Sequence, residues 1–381
     1  MPLVKKTRVP QWGGIEVSRL GFGAMRLPVL EDNKIDYGKA SAMVDRAVSE
    51  GVNYFDTAYV YHGGESELFL GEALEKYPRD SYYLATKLPI WQVNSDEDFY
   101  KAFEEQLSRL RTDRIDFYLI HALNDSRWKT VLKHKIVDKL RKKRKEGQIT
   151  YIGFSYHGDF ETFNKIIDFG GWDFCQIQIN YADYNIIGAE KYYERLVKEN
   201  IPCICMEPVR GGFLANPPDE VRALMSGYAN GRITPAGWAL RWCINKENMP
   251  VILSGMTTME QTVENIETFS EAGTLDPAHE EMIIRAGAIL AGIKAFPCTY
   301  CGYCMDCPEG VDIPGVFGIY NQYQLFRNAF RSSVDYNDLT AGGHGADKCT
   351  KCGVCAPKCT QEIKIPDRLE EAKELLENLM K

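Results

Sequence analysis

Short apolar runs alternate with longer amphipathic stretches from Ser18 to Met256, and the alternation is regular enough to count. Eight runs have the length and the aromatic or β-branched content of buried strands: SRLGFGAM, NYFDTA, YYLATKL, DFYLIHAL, YIGFSY, FCQIQINY, PCICMEP and PVILSGM. Between them lie stretches of helical period, such as YGKASAMVDRAVSEG, SELFLGEALEKY, EDFYKAFEEQLSRL and AEKYYERLVKEN. Each is long enough for a crossover between parallel strands. Eight strand–helix units in about 250 residues predict an α/β fold, a (β/α)8 TIM barrel. A doubly wound open sheet is the alternative, but no predicted strand runs into a GxGxxG turn. The preceding TRVPQWGGIEV reads as a small hairpin closing the barrel bottom.

PAHEEMIIRAGAILAG predicts one more helix, and the composition then changes at Phe296. The chain therefore divides into a barrel domain, 1–295, and a small, mostly α-helical domain, 296–381. The second holds two cysteine motifs separated by a partly helical insert, then a charged helix, PDRLEEAKELLENLM. The basic run KLRKKRKEG falls on the helix between the fourth and fifth strands. No aromatic residues interleave it, so it reads as a solvated helix face rather than a nucleic-acid patch.

With 45 basic against 53 acidic residues the net charge is −8, which disfavours an electrostatic grip on nucleic acid or an anionic membrane. Small-molecule chemistry fits better. The start, MPLVKKTRVPQWGG, lacks the apolar core and cleavage site of a signal peptide, and no run of about 18 apolar residues occurs. The expectation is a cytoplasmic protein. Eight of the twelve cysteines fall in two clusters, and in a reducing compartment that spacing argues for metal ligands. Cys175, Cys203, Cys205 and Cys243 lie in apolar surroundings and read as buried thiols.

In a barrel of this type, catalytic groups come from the C-terminal ends of the strands and the loops after them. Strand two ends in Asp56, with Tyr61 in the loop that follows; strand three ends in Lys87 and strand four in His121. Singly, these read as a cap, a loop side chain, a snorkelling lysine and a core histidine. Together they suit protonation of a developing alkoxide. An ammonium beside a tyrosine stabilises the phenolate and lowers its pKa, Asp56 would hold Lys87 charged, and His121 would orient a substrate carbonyl. With hydride from a reduced nicotinamide, the product is an alcohol.

These residues resemble the aldo-keto reductases. FDTAYVYHGGESELFLGEAL is similar to the family's signature, ATKL to its lysine segment and LIHAL to its histidine, over roughly Ser18 to Thr268. The resemblance implies that Asp56, Tyr61, Lys87 and His121 form a catalytic tetrad acting on a small carbonyl or alcohol. It also implies that Ser155 and Gln176 bind the nicotinamide carboxamide, and that Met206, Pro208 and Arg210 of MEPVRGG lie under the nicotinamide and diphosphate. Met25 falls where the family lines the substrate pocket. Ser155 and Gln176 read alternatively as a buried polar pair closing strand ends. Where the family carries cations for the 2′-phosphate of NADPH, SGMTTMEQTVEN offers Gly255 and Gln261, while Asn265 is retained. Phosphate recognition favours Arg or Lys, so NADPH and NADH both stay open.

The first cysteine motif is Cys298-x2-Cys301-x2-Cys304-x2-Cys307-Pro308, and the second is Cys349-x2-Cys352-x2-Cys355-x3-Cys359. Both resemble two-cluster ferredoxins, in which the fourth cysteine of each run ligates the other cluster. The resemblance implies one [4Fe-4S] cluster on Cys298, Cys301, Cys304 and Cys359, and a second on Cys349, Cys352, Cys355 and Cys307. The first run is one residue short before its last cysteine, and Thr360 stands where proline is customary. Closed zinc sites are the alternative. Clusters would be structural or a port to an outside electron carrier, since no flavin motif converts a two-electron hydride into single electrons. A rival reading makes the protein an electron-transfer module with the barrel as a docking or sensing element.

Overall fold

The computed structural model describes residues 3–271 and 273–379. Met380, the last residue of the predicted charged helix, lies outside them. The chain opens with an antiparallel hairpin, β1 (Lys6–Val9) and β2 (Ile15–Ser18). Eight parallel strands follow: β3 (Leu20–Gly23), β4 (Tyr54–Asp56), β5 (Tyr83–Leu88), β6 (Ile115–Leu123), β7 (Ile149–Tyr156), β8 (Phe174–Gln178), β9 (Cys203–Met206) and β10 (Val251–Gly255). They close into a barrel in the order β10-β3-β4-β5-β6-β7-β8-β9, and each lies inside one of the eight predicted runs or overlaps it. The runs are continuous because barrel strands are covered on both faces, by the interior and by helices. Every residue of β6 is buried.

Local chemistry starts the surrounding helices. Asp36 caps Tyr37–Ser49 by accepting from the Lys39 amide, and Ser95 with Asp98 forms a capping box on Asp96–Arg109. Between β6 and β7 the chain makes two helices rather than one, Asp125–Lys133 and Ile136–Lys145, broken at Lys135 with φ 48°. The basic run lies on the second of these. Ile136, Val137 and Leu140 face inward, and Lys143 buries its stem while its Nζ meets Glu104 and Gln148.

The hairpin seals the N-terminal end of the barrel. Its turn carries Trp12, fully buried, with Phe117 at 4.7 Å between ring centroids and Nε1 donating to the Asp173 carbonyl at 2.9 Å. Tyr54, Phe117, Phe174 and Val251, near the starts of their strands, complete that cluster.

By contacts the chain forms two compact units, Met1–Pro208 with Ala239–Asp276, and Val209–Trp238 with Pro277–Lys381. All barrel strands belong to the first. The second contains the helices Asp219–Ser226, Pro277–Ala291, Ile313–Phe326, Ala329–Ala341 and Ile365–Asn378. Phe296, Val316, Phe317, Tyr320, Tyr336 and Leu369 are prominent in its core, with Cys304 and Cys355 packed among them. The insert between the cysteine motifs holds a pair of helices, Ile313–Phe326 and Ala329–Ala341, separated by Arg327 at φ 52° and the Asn328 cap. Among the described residues, no helix is long and apolar enough to cross a membrane.

Candidate active site

Asp56 is the last residue of β4, Lys87 the fifth of β5 and His121 the seventh of β6; all three are almost fully buried. Tyr61 opens a short 3-10 turn, Tyr61–Gly64, whose His62, Gly63 and Gly64 all have positive φ. The structure brings Asp56, Lys87 and Tyr61 together around one ammonium. Lys87 Nζ donates to Asp56 Oδ1 at 2.5 Å, to the Thr57 carbonyl at 2.7 Å and to the Tyr61 hydroxyl at 3.2 Å. His121 stands edge-on to Tyr61, ring centroids 6.0 Å apart, with Trp91 at 5.1 Å on His121 and the Arg127 guanidinium 4.7 Å from Trp91.

Burial presses Lys87 and Asp56 toward their neutral forms, and their mutual attraction and hydrogen bond oppose it. For His121, burial first, then the charges of Lys87, His157 and Arg127, push the pKa well below the usual 6.5. The imidazole is therefore neutral near pH 7, a hydrogen-bond donor rather than a cation. Its placement depends on a register shift between Ile120 and Leu123, where Ala122 adopts φ 52°. Ser155 Oγ accepts the Ala122 amide at 2.7 Å, and Arg127 donates to the Ala122 carbonyl at 2.7 Å.

Sequence reasoning missed the layer behind this set. Glu67 is fully buried; its carboxylate accepts from Thr86 Oγ1 at 2.6 Å, Gln106 Nε2 at 2.8 Å and Arg109 at 3.3 Å. Gln106 also donates to the Lys87 carbonyl at 3.1 Å and accepts from Tyr118 at 2.6 Å. The helix Glu65–Leu74 reaches this depth because Gly71 has no side chain: a Cβ there would sit 2.3 Å from the Arg109 carbonyl oxygen. An acid in the apolar setting ELFLGEAL was the available signal.

Ser155 and Gln176 are paired across β7 and β8, both buried. Gln176 Nε2 lies 3.5 Å from Met206 Sδ, and Gln176 Oε1 is a buried acceptor with no hydrogen-bond partner among the described residues. That orphaned oxygen fits an amide N–H donor such as a carboxamide. Met25 is half-buried in the turn after β3, Met206 ends β9 and Pro208 follows in its exit. Asn265 is buried and donates to Ser254 Oγ at 2.8 Å. Gly255 and Gln261 are exposed; the Arg26 stem packs where a Gly255 Cβ would lie, reaching Glu207 at 3.1 Å, and Gln261 Oε1 accepts the Thr257 amide. Arg210 belongs to the second unit, buried, with its guanidinium 5.0 Å from the Phe213 ring.

In the second unit the eight cysteines surround two cavities. Cys298, Cys301, Cys304 and Cys359 line one; Cys307, Cys349, Cys352 and Cys355 line the other. The fourth thiol of each motif thus sits with the first three of the other, and Ile313 borders both cavities. The two loops repeat one backbone shape: Tyr300 and Gly302 have φ 55° and 77°, Lys351 and Gly353 φ 58° and 77°. Among the described residues no three His, Cys, Asp or Glu side chains are arranged to hold a single metal ion. Four thiols around an apolar cavity suit a polynuclear sulfide cluster, whose irons are each tied to one thiolate.

Against known proteins, residues 19–283 match the model of the aldo/keto reductase family, and residues 297–364 match that of the 4Fe-4S dicluster domain. The chain belongs to the aldo/keto reductase family and is an oxidoreductase of that type. It is 27% identical to the probable aldo-keto reductase 1 of Glycine max, over 66% of this chain and 81% of that one. It is 26% identical to L-galactose dehydrogenase of Arabidopsis thaliana, over 74% and 93%, and 30% identical to the uncharacterized oxidoreductase YqkF of Bacillus subtilis, over 66% and 87%. Among solved structures, the holo form of aldo-keto reductase AKR11C1 from Bacillus halodurans superposes with TM-score 0.61 at 24% identity, covering 74% of this chain and 96% of that one. An aldo-keto reductase from Klebsiella pneumoniae in complex with NADPH gives TM-score 0.61 at 20% identity, over 74% and 95%.

Proposed function

We propose that the protein interconverts a small carbonyl compound and its alcohol with a nicotinamide dinucleotide, Tyr61 acting as general acid and base. The observation that carries this is the buried Lys87 ammonium, within hydrogen-bonding distance of both Asp56 and the Tyr61 hydroxyl at the C-terminal ends of neighbouring strands. Neutral His121 donates a hydrogen bond to the substrate oxygen, orienting it toward Tyr61. Tyr61 releases its proton to that oxygen, and Lys87 stabilises the phenolate left behind. Asp56 keeps Lys87 in place. Reduced nicotinamide, when bound, supplies the hydride for the carbonyl carbon. Ser155 and the orphaned oxygen of Gln176 would hold its carboxamide, with Met206, Pro208 and Arg210 along the dinucleotide and Met25 toward the substrate. The NADPH complex of a similar reductase favours NADPH. Gly255 and Gln261, without cationic side chains, favour NADH, and Asn265 serves either.

The same reading assigns two [4Fe-4S] clusters, one to each group of four cysteines, with a structural role or electron exchange with an outside carrier. It places the boundary at 295/296, near the matched segments, and the protein in the cytoplasm. Tyr61→Phe tests the catalytic part. Carbonyl-dependent NAD(P)H oxidation should fall by about 10²–10⁴-fold with iron content unchanged. Unchanged turnover would remove Tyr61 from the mechanism.

A further inference from the structure

The fourth thiol of each cysteine motif is followed by a residue of a different kind, Cys307 by Pro308 and Cys359 by Thr360. The Cys359 carbonyl accepts the Glu362 amide at 3.2 Å, so Thr360 and Gln361 are the central residues of a turn. The first central position of a turn suits proline, and its backbone has no need of a threonine. What Thr360 adds there is a hydroxyl.

That hydroxyl is buried between two partners. Gln361 Nε2 donates to Thr360 Oγ1 at 3.3 Å, and Cys301 Sγ lies 3.8 Å from the same oxygen, within reach of the longer hydrogen bonds that sulfur makes. Because Oγ1 accepts the Gln361 hydrogen, its own hydrogen is left for the sulfur. A thiolate tied to iron has no proton and can only accept, so the bond runs from Thr360 to Cys301. Cys301 lines the first cavity with Cys298, Cys304 and Cys359, and the Tyr300 amide donates to Cys298 Sγ of the same group at 3.4 Å. Pro308, which borders the second cavity, has no hydrogen to donate.

We propose that Thr360 is a redox-tuning residue for the first group of four cysteines: its hydroxyl hydrogen-bonds the Cys301 sulfur and raises the reduction potential of the cluster held there. The inference rests on the reading that this group carries a [4Fe-4S] cluster, and goes beyond it by giving one cluster a donor that the turn beside the other lacks. One electron added to a cluster, from a reductant such as dithionite, increases the negative charge on its ligand sulfurs. A hydrogen bond to a charged acceptor is stronger than one between neutral partners, and burial keeps water from competing for it. The reduced form therefore gains more from Thr360 than the oxidised form does, which moves the potential upward.

Thr360→Val, close in shape and without the hydroxyl, tests this in the full-length protein purified without oxygen. Redox titration followed by low-temperature EPR should show one midpoint potential lowered by about tenfold in the one-electron equilibrium, about 59 mV, with the other unmoved. Thr360→Pro, which suits the turn and also lacks the hydroxyl, should reproduce that shift. Thr360→Ser, which keeps the hydroxyl, should stay near the parent value. Two unmoved midpoints in Thr360→Val or Thr360→Pro overturn the proposal. Two midpoints that fall equally also overturn it, since one local hydrogen bond does not act alike on both clusters. Metal and sulfide analysis of the parent tests the underlying reading separately: zinc in place of iron removes the clusters themselves, whereas full iron with an unmoved midpoint removes only the role of Thr360.

Discussion

The Ala122 amide donates to Ser155 Oγ at 2.7 Å, from within the irregular stretch of β6 that carries His121. A serine assigned on sequence grounds to the cofactor thereby also supports the neighbouring histidine, its hydroxyl hydrogen remaining available for a second partner. Ser155→Ala should leave the buried amide unsatisfied and cost about 1–3 kcal/mol in stability. Urea unfolding monitors that loss. The KM for carbonyl should rise together with the nucleotide Kd, whereas a side chain serving the cofactor alone would change only the latter.

Asp56→Asn removes the carboxylate facing a fully buried ammonium. Breaking such a pair typically costs about 3–5 kcal/mol. The variant's Lys87, already lowered by burial and now without its counter-charge, has a folded-state pKa further below its unfolded 10.5. Stability therefore grows as the pH rises toward 10.5, where the unfolded state also gives up its proton. Denaturation midpoints at pH 7.5 and 9.5 should differ more for Asp56→Asn than for the parent.

His121 supplies a second pH signature. Its folded pKa lies well below the unfolded 6.5, so below pH 6.5 the unfolded chain holds a proton that the folded one does not. Stability is full above pH 6.5 and declines by up to about 1.4 kcal/mol per unit below it, until the folded histidine itself titrates. His121→Gln should flatten that part of the profile. An equal acid slope in parent and variant would show that the histidine is not buried neutral.

The crossed grouping of thiols makes a quantitative statement about iron. Cys359→Ser should disturb the cluster of the first motif, and Cys307→Ser that of the second, each lowering iron from about eight toward about four atoms per chain. Iron and sulfide analysis with low-temperature EPR would show it. If Cys359→Ser instead altered the signal lost in Cys352→Ser, the ligands would follow sequence order and not the cavities.

At the N-terminal end of the barrel, Trp12→Ala should cost about 3–5 kcal/mol by emptying a fully buried site. Since the cysteines belong to another compact unit, iron content should persist. Thermal unfolding alongside iron analysis distinguishes the two effects.

The barrel was legible because burial on two faces imprints itself as uninterrupted apolar runs, of which β6 is the extreme case. The positions of Asp56, Lys87 and His121 toward the ends of their strands were legible because the apolar runs mark where each strand stops. What escaped depends on backbone geometry or on partners far along the chain. The positive φ of Ala122, the break at Lys135 and the meeting of Glu67 with Thr86 and Gln106 have no local pattern that announces them. Grouping Cys359 with the first motif was reached only through resemblance, because spacing alone states which cysteines are near in sequence and not which converge.

The ring of strands is completed where Leu20 meets Ile252. The first barrel strand to leave the ribosome thus has one neighbour within reach early, β4, and must wait for nearly the whole barrel before the other arrives. Non-local pairing of this kind slows folding and leaves an open edge in the meantime. Translation speed and chaperone supply should therefore govern the yield of active protein more than the stability of the finished barrel does.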